Sequence, residues 1–289
     1  MGDLAATLSW WLGGGVSVVL AATLGVWLLL PTLPPQLAQH WMRSCLLLLA
    51  CVFLAYLPAS TLALADGPAG ELLPTVWLVL WHTHNGAMWL LGAVALIVAA
   101  IAISGESARP ARSRPRGAMA ASLLLFVGAR AATGHAAEAG TFSAVVLIHV
   151  VHIAAGCAWA GCVMASQAIP RSGPESDVLW QTAFLQRLSQ VAALALTLVV
   201  VSGLFNVWRI LDAAQVSFGT YEQRLTFKLT VVGLAAALGA WNRWIALPRL
   251  LQGGASARKP FELSLRAEAV LLVLVLLLAA WLGSTMPSR

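Results

Sequence analysis

Between Thr141 and Ile169 the chain reads TFSAVVLIHVVHIAAGCAWAGCVMASQAI, 29 residues with no Asp, Glu, Lys or Arg. A run this long and this apolar exceeds the roughly 20 residues that a helix needs to cross the hydrocarbon core of a bilayer. Its two histidines, His149 and His152, are therefore ionisable groups inside a membrane span, where such groups are costly and by default functional. Reading outward, the same pattern recurs between Pro, Gly and charge clusters. It predicts eight spans near 8–30, 43–65, 74–103, 117–136, 141–169, 186–211, 221–247 and 263–285. The third and fifth are longer than the core requires, and for the third the part from Glu71 to Trp81 is expected to lie in the interface.

Composition agrees with this. Of 289 residues 60% are apolar and 10% charged, against roughly a quarter charged in a soluble domain. The expected fold is an all-α polytopic membrane helix bundle in a single transmembrane domain. Met1-Gly2-Asp3 has no basic stretch before the first apolar run, so that run is expected to be retained as a span. The four cysteines are too sparse for a disulfide framework, and they read as thiols. Basic residues punctuate the apolar blocks instead of forming a continuous face, and no glycine-rich loop follows a strand, so neither nucleic acid nor nucleotide is an expected partner. Lipid is.

Lys and Arg are retained at the cytoplasmic ends of spans. With both termini outside, twelve fall inside, among them Arg43, Arg109, Arg187 and Arg243, and five outside: Arg130, Arg209, Arg224, Lys228 and Arg289. This predicts periplasmic termini in a bacterial cytoplasmic (inner) membrane, with a comparatively acidic outer mouth suited to a cation. A weak internal repeat divides the chain into halves of about 1–137 and 138–289. Trp11-Leu12-Gly13-Gly14 resembles Trp159-Ala160-Gly161-Cys162, and Thr83-His84 resembles Thr220-Tyr221. A step of four spans would give two parallel four-helix repeats.

On this topology five of the six histidines share the outer level: His82, His84, His135, His149 and His152, with His40 inside. His149 and His152, three residues apart, share one helix face and are spaced to reach one ion. His82 and His84 fall on different faces unless the helix is irregular there, and His84 is the preferred candidate. Met88, Cys157 and Cys162 are candidate soft ligands or route residues, and Met286 lies near the outer end of the last span. Imidazole, thiolate and thioether together suit Cu(I) better than Mg or Ca, although Cys and Met also serve as apolar filler. Helical phase turns Cys157 away from His152, and Cys45 and Cys51 read as packing. Lys228 and Arg130 either snorkel or pair with Glu138, Asp212 or Glu222; Lys228 and Glu138 are the candidate structural or gating charges. Trp10, Trp11, Trp77, Trp81, Trp180 and Trp281 read as an aromatic belt, with Trp89 and Trp159 deeper.

Several of these residues carry a family resemblance. Gly134-His135-Ala136-Ala137, then His149 to His152 followed by Trp159-Ala160-Gly161, then Arg187-Leu188-Ser189, Ser202-Gly203-Leu204-Phe205-Asn206, Thr220-Tyr221 to Lys228, and Asn242-Arg243 resemble the copper resistance D (CopD) membrane proteins. Thr83-His84-Asn85-Gly86 and Trp89 resemble the Thr-His-aromatic-Gly segment of that family, so the likeness runs from about 40 to 250. Cys162 stands where the second glycine of Trp-x-Gly-Gly is usual, and Glu222-Gln223 replace the glycine expected after Tyr221. The resemblance implies copper handling at the inner membrane, usually uptake from the periplasm, beside a separate periplasmic copper carrier of the CopC type. It matches His84, His135 and His152 to family histidines, with His149 an added neighbour.

The expectation is a copper transporter, rather than an enzyme, with His84, His135, His149 and His152 as the outer metal site. The alternative is a haem-binding membrane oxidoreductase, in which two of these histidines hold haem b axially within the bundle.

Overall fold

The computed structural model describes residues 2–33, 35–64, 72–104, 116–133, 140, 143–167, 178–213, 219–252 and 255–283. The described residues are almost entirely helical, as the bilayer demands, since every main-chain polar group in hydrocarbon must find its partner within the chain. The helices are α1 (Gly2–Leu29), α2 (Pro35–Leu64), α3 (Leu72–His82), α4 (His84–Ser104), α5 (Arg116–Ala131), α6 (Ala144–Gln167), α7 (Val178–Ala213), α8 (Thr220–Trp241), α9 (Leu247–Leu251) and α10 (Ala255–Gly283). Seven helical stretches among them are long and apolar enough to cross a membrane.

The bundle is built around α1. Its apolar stretch is 56% buried, against 17% for those of α7 and α8, and it packs on α2, α6, α7 and α10. Small residues make this possible. A Cβ added to Gly161 of α6 would overlap the carbonyl of Ala21, and one added to Gly25 of α1 would overlap the backbone at Gly161. The two helices therefore touch main chain to main chain, the close approach that small residues permit between membrane helices. Around this crossing lie Val16, Leu20, Leu24, Trp159, Cys162 and Val163, all buried. On the outside, Leu54, Ile97, Ile101, Val201, Leu204 and Trp244 stand exposed, as a lipid-facing surface requires.

Two of the eight predicted segments are not single helices long and apolar enough to span a membrane. The third breaks at Thr83, whose Oγ1 donates to Val79 O at 2.7 Å and accepts from Gly86 N at 3.0 Å. The chain folds back so tightly here that a Cβ on Gly86 would overlap the backbone of Val79 and Leu80. So α3 is a short arm lying on α4, and α4 is the span. The fourth segment, α5, is only 16 residues, about 24 Å of helix at ~1.5 Å per residue. Its end is fixed by Thr133, whose N and Oγ1 both donate to Arg130 O, at 3.4 and 2.8 Å.

The other irregularity is a π turn, Asn242–Ala246, between α8 and α9. Pro248 at the start of α9 has no N–H to return to the chain four residues back and would crowd that carbonyl. The wider turn just before it accommodates the proline and rotates Asn242 into the bundle, where it is buried.

Candidate functional site

On α6 the spacing of His149 and His152 has the expected result. Their rings are nearly parallel, 11° apart, with centroids separated by 6.4 Å. His152 points at α7, its Nδ1 3.0 Å from Ser202 Oγ. The serine has one proton, and it goes to Leu198 O at 2.5 Å. The imidazole must then supply the proton of the second bond. His152 Nδ1–H donates to Ser202, and Nε2 carries the lone pair that a metal uses. Gly203 gives the ring its room, because a Cβ there would stand 3.3 Å from His152 Cε1. A shared ion would need both ligating nitrogens about 2 Å away, so the two rings must turn toward each other from their near-parallel pose. Lys228 of α8 is close enough for its charge to act on both rings.

Among the described residues no other predicted ligand joins this pair in a cluster of three. His84 opens α4, exposed, and its Nε2 lies 2.9 Å from Ala132 O just past the end of α5. His82 is exposed at the end of α3. His135, Glu138 and Met286 lie outside the described residues. Met88 lines a cavity of about 130 Å³ between α2, α3, α4 and α5, together with Tyr56, Asn85 and Arg130. Arg130 sits there over the ring of Tyr56, 5.0 Å from its centroid. A cation–π contact thus gives this charge an aromatic partner, while Glu138, one of the carboxylates expected to pair with it, lies outside the described residues.

Cys157 and Cys162 are buried. Cys157 Sγ is 3.9 Å from Ser17 O, and the backbone N of Cys162 lies in the Gly25 crossing. Glu222 Oε2 accepts Gly219 N–H at 2.8 Å and closes the start of α8. Among the described residues no three His, Cys, Asp or Glu side chains converge so as to hold a metal ion.

The sequence reading passed over two features. Ser202 had been noted only as part of a motif, yet it sets the tautomer of His152. Glu268 had not been singled out at all. It is only 3% exposed on α10, with Oε1 accepting from Trp159 Nε1 at 3.1 Å and Oε2 from Asn242 Nδ2 at 2.7 Å. The available signal was the single Asp or Glu within the segment 263–285.

Comparison with known proteins bears on this arrangement. Residues 182–282, which run from α7 through α10, match the family model described as copper resistance protein D. The copper transport protein CutJ of Bacillus subtilis (strain 168) is 27% identical over 201 residues, covering 66% of this chain and 37% of that protein. The copper resistance protein D of Pseudomonas syringae pv. tomato is 29% identical over 236 residues, covering 75% of this chain and 73% of that protein. The chain thus spans little more than a third of the length of the Bacillus relative. No solved structure matches it. The family match covers about a third of the chain, the part that carries Ser202, Asn242 and Glu268, and with these two relatives it makes the chain similar to the copper resistance protein D family.

Proposed function

We propose that this protein handles copper by taking the ion up across the bacterial cytoplasmic membrane from the periplasmic side. The observation that carries the proposal is the His149–His152 pair on one face of a membrane-spanning helix, with the Nε2 lone pair of His152 set by Ser202. The names of the two relatives, a copper transport protein and a copper resistance protein, support the choice of ion. The excess of Lys and Arg on the opposite side supports the direction, with both termini periplasmic.

In this reading His149 and His152 capture copper, and His84 and His135 complete the outer site. Exchange between these ligands lets the ion go as well as bind. Lys228 beside the pair opposes a cation and keeps capture weak enough for release. A separate soluble carrier of the CopC type would deliver the ion. Transport draws on the ion gradient, the membrane potential or copper-binding sinks inside the cell. The halves 1–137 and 138–289 act as parallel repeats that meet at the α1–α6 crossing, which supplies the seam along which a route would open.

Copper analysis of the purified protein tests the site, with wild type set against His152→Ala and His135→Ala. Each substitution should lower the bound copper, and unchanged stoichiometry in both would sink the assignment. The absorption spectrum of the same preparation distinguishes the other chemistry, because a Soret band would make the histidines haem ligands. Copper accumulation in proteoliposomes then separates transport from sensing.

A further inference from the structure

Glu268 is a carboxyl at the middle of a membrane-spanning helix, 3% exposed. An ionised acid at that depth is expensive unless a cation accompanies it. The elements packed on α10 are α1, α6, α8, α9 and the π turn, and the charged and titratable groups they carry are engaged elsewhere or stand apart. The described side chains of α1 include none. Those of α6 are His149 and His152, with near-parallel rings and His152 bonded to Ser202, Cys157, whose Sγ approaches Ser17 O of α1, and the buried Cys162.

On α8, Tyr221 and Glu222 lie at the helix start, Arg224 stacks over Trp281 at 4.0 Å, and Lys228 acts on the histidine pair. Arg243 of the π turn donates to Ser189 O and Oγ, both at 2.7 Å, and Arg249 of α9 lies 6.0 Å from the ring centroid of Trp241. On α10 itself Arg258 pairs with Glu262 at 3.1 Å, while Lys259 and Arg266 are exposed. What Glu268 does have is two N–H donors.

These donors are not equivalent. Trp159 Nε1 can only donate, so Oε1 is an acceptor in every state and any proton must reside on Oε2. Oε2 faces Asn242, whose amide offers both a donor and an acceptor. As placed, Nδ2 donates to Oε2 at 2.7 Å, and Oδ1, buried, has no partner. Nothing therefore tethers the amide by its oxygen. Turned over, it presents Oδ1 to accept from a protonated Oε2. The glycine at 239 leaves space for the carboxyl, since a Cβ there would come within 2.8 Å of Oε1.

A second buried polar atom without a partner, Ser264 Oγ, stands one turn away on α10. Beside it Gln167 Nε2 donates to Leu265 O at 3.4 Å and to Ser166 Oγ at 3.1 Å. Polar groups thus continue from Glu268 toward the end of α6, through a seam that is otherwise apolar.

We propose that Glu268 is a proton-exchanging site in the membrane interior, holding one proton on Oε2, with the Asn242 amide turning over to meet each form. In release, the Oε2–H bond breaks, the proton passes to water at the Gln167 end of the seam, and the carboxylate remains, bonded to Trp159 and Asn242. The inference does not depend on copper, because it concerns a different cluster about two helical turns along α6 from His152.

Infrared spectroscopy of the full chain in lipid nanodiscs reads this directly. Wild type minus Glu268→Gln should contain the carbonyl stretch of a protonated carboxylic acid, shifted in D₂O and lost on titration to alkaline pH. Glu262→Gln should leave that band in place. Asn242→Leu removes the donor to the carboxylate, so the band should persist to higher pH, with proton affinity raised roughly tenfold or more. A band that is absent at every pH, or present but unresponsive to pH, makes Glu268 a static structural acid and overturns the proposal. Titration of Asn242→Leu identical to wild type overturns the role of the amide. Circular dichroism on the same samples confirms the helical bundle, and the wild-type titration stands on its own if Glu268→Gln does not fold.

Discussion

Replacing Ser202 with alanine removes one atom and tests how the histidine site is built. Ser202 is buried between α6 and α7, and it relays a chain of bonds from His152 Nδ1 to Leu198 O, at 3.0 and 2.5 Å. Without the hydroxyl, Nδ1 loses its acceptor. The ring is then no longer held in the tautomer that leaves Nε2 for a metal, nor in its orientation toward His149. A neutral hydrogen bond of this kind contributes about 0.5–1.5 kcal/mol to folding, so Ser202→Ala should fold and cost little stability. Copper affinity should fall further, by about 10–100-fold, the usual cost of removing the group that orients a metal-ligating histidine. That range is equivalent to about 1.4–2.8 kcal/mol.

The assay is an equilibrium copper titration of purified protein against a competing chelator, with thermal unfolding in parallel. Ser202→Thr, which keeps the hydroxyl, should restore most of the affinity. Gly203→Ala presses on Cε1 from 3.3 Å and should fall between wild type and Ser202→Ala. If Ser202→Ala binds copper within twofold of wild type while His152→Ala does not bind, the tautomer reasoning is refuted. If neither variant loses affinity, the site itself is.

Three other substitutions probe different links. Gly161→Val drives a side chain into the Ala21 carbonyl on α1, where overpacking costs roughly 1–3 kcal/mol or more; loss of the monodisperse peak in detergent chromatography is expected, and a native elution profile would contradict the crossing. Lys228→Met removes a positive charge beside the histidine pair and should raise copper affinity about tenfold, equivalent to ~1.4 kcal/mol of relieved repulsion, most clearly at low salt. Cys157→Ala and Cys162→Ala should leave copper capture unchanged within about twofold in the same titration, because both thiols are buried and neither joins a cluster of potential ligands among the described residues; a tenfold loss would place them on the metal's path.

The bundle was legible because hydrophobic length is nearly sufficient to define a membrane helix. The segments at 8–30, 43–65, 141–169 and 263–285 became α1, α2, α6 and α10 with ends shifted by a few residues. The break at Thr83 was only half visible. The sequence placed the first part of that segment in the interface, but the fold-back depends on Gly86 meeting the backbone of α3, a tertiary contact. The i, i+3 histidines were legible because helix periodicity alone sets which side chains share a face. The acceptor across from His152 was not, since its position on α7 follows from packing. Arg130 meets the face of Tyr56, a partner that charge counting does not consider.

Taken together, the polar contacts assign α6 a particular mechanical position. On one face it is tied to α7 through His152 and Ser202. Seven residues on, about 10 Å of rise, Trp159 ties it through Glu268 to α10 and to Asn242 at the π turn. Against α1 it has no comparable tie, only a backbone crossing at Gly25 and Gly161 and the weak 3.9 Å approach of Cys157 to Ser17 O. Packed glycines let two helices slide or rock without breaking a directional bond, whereas the bonds to Ser202 and Glu268 must be exchanged if α6 moves against α7 or α10. A rearrangement that admits an ion therefore has its low-cost seam at α1–α6. Its controlled seams are the two places where a proton or a metal can change the bonding. If Glu268 exchanges a proton and His152 takes up a metal as proposed, both act on the same helix, and through it each would bias the other.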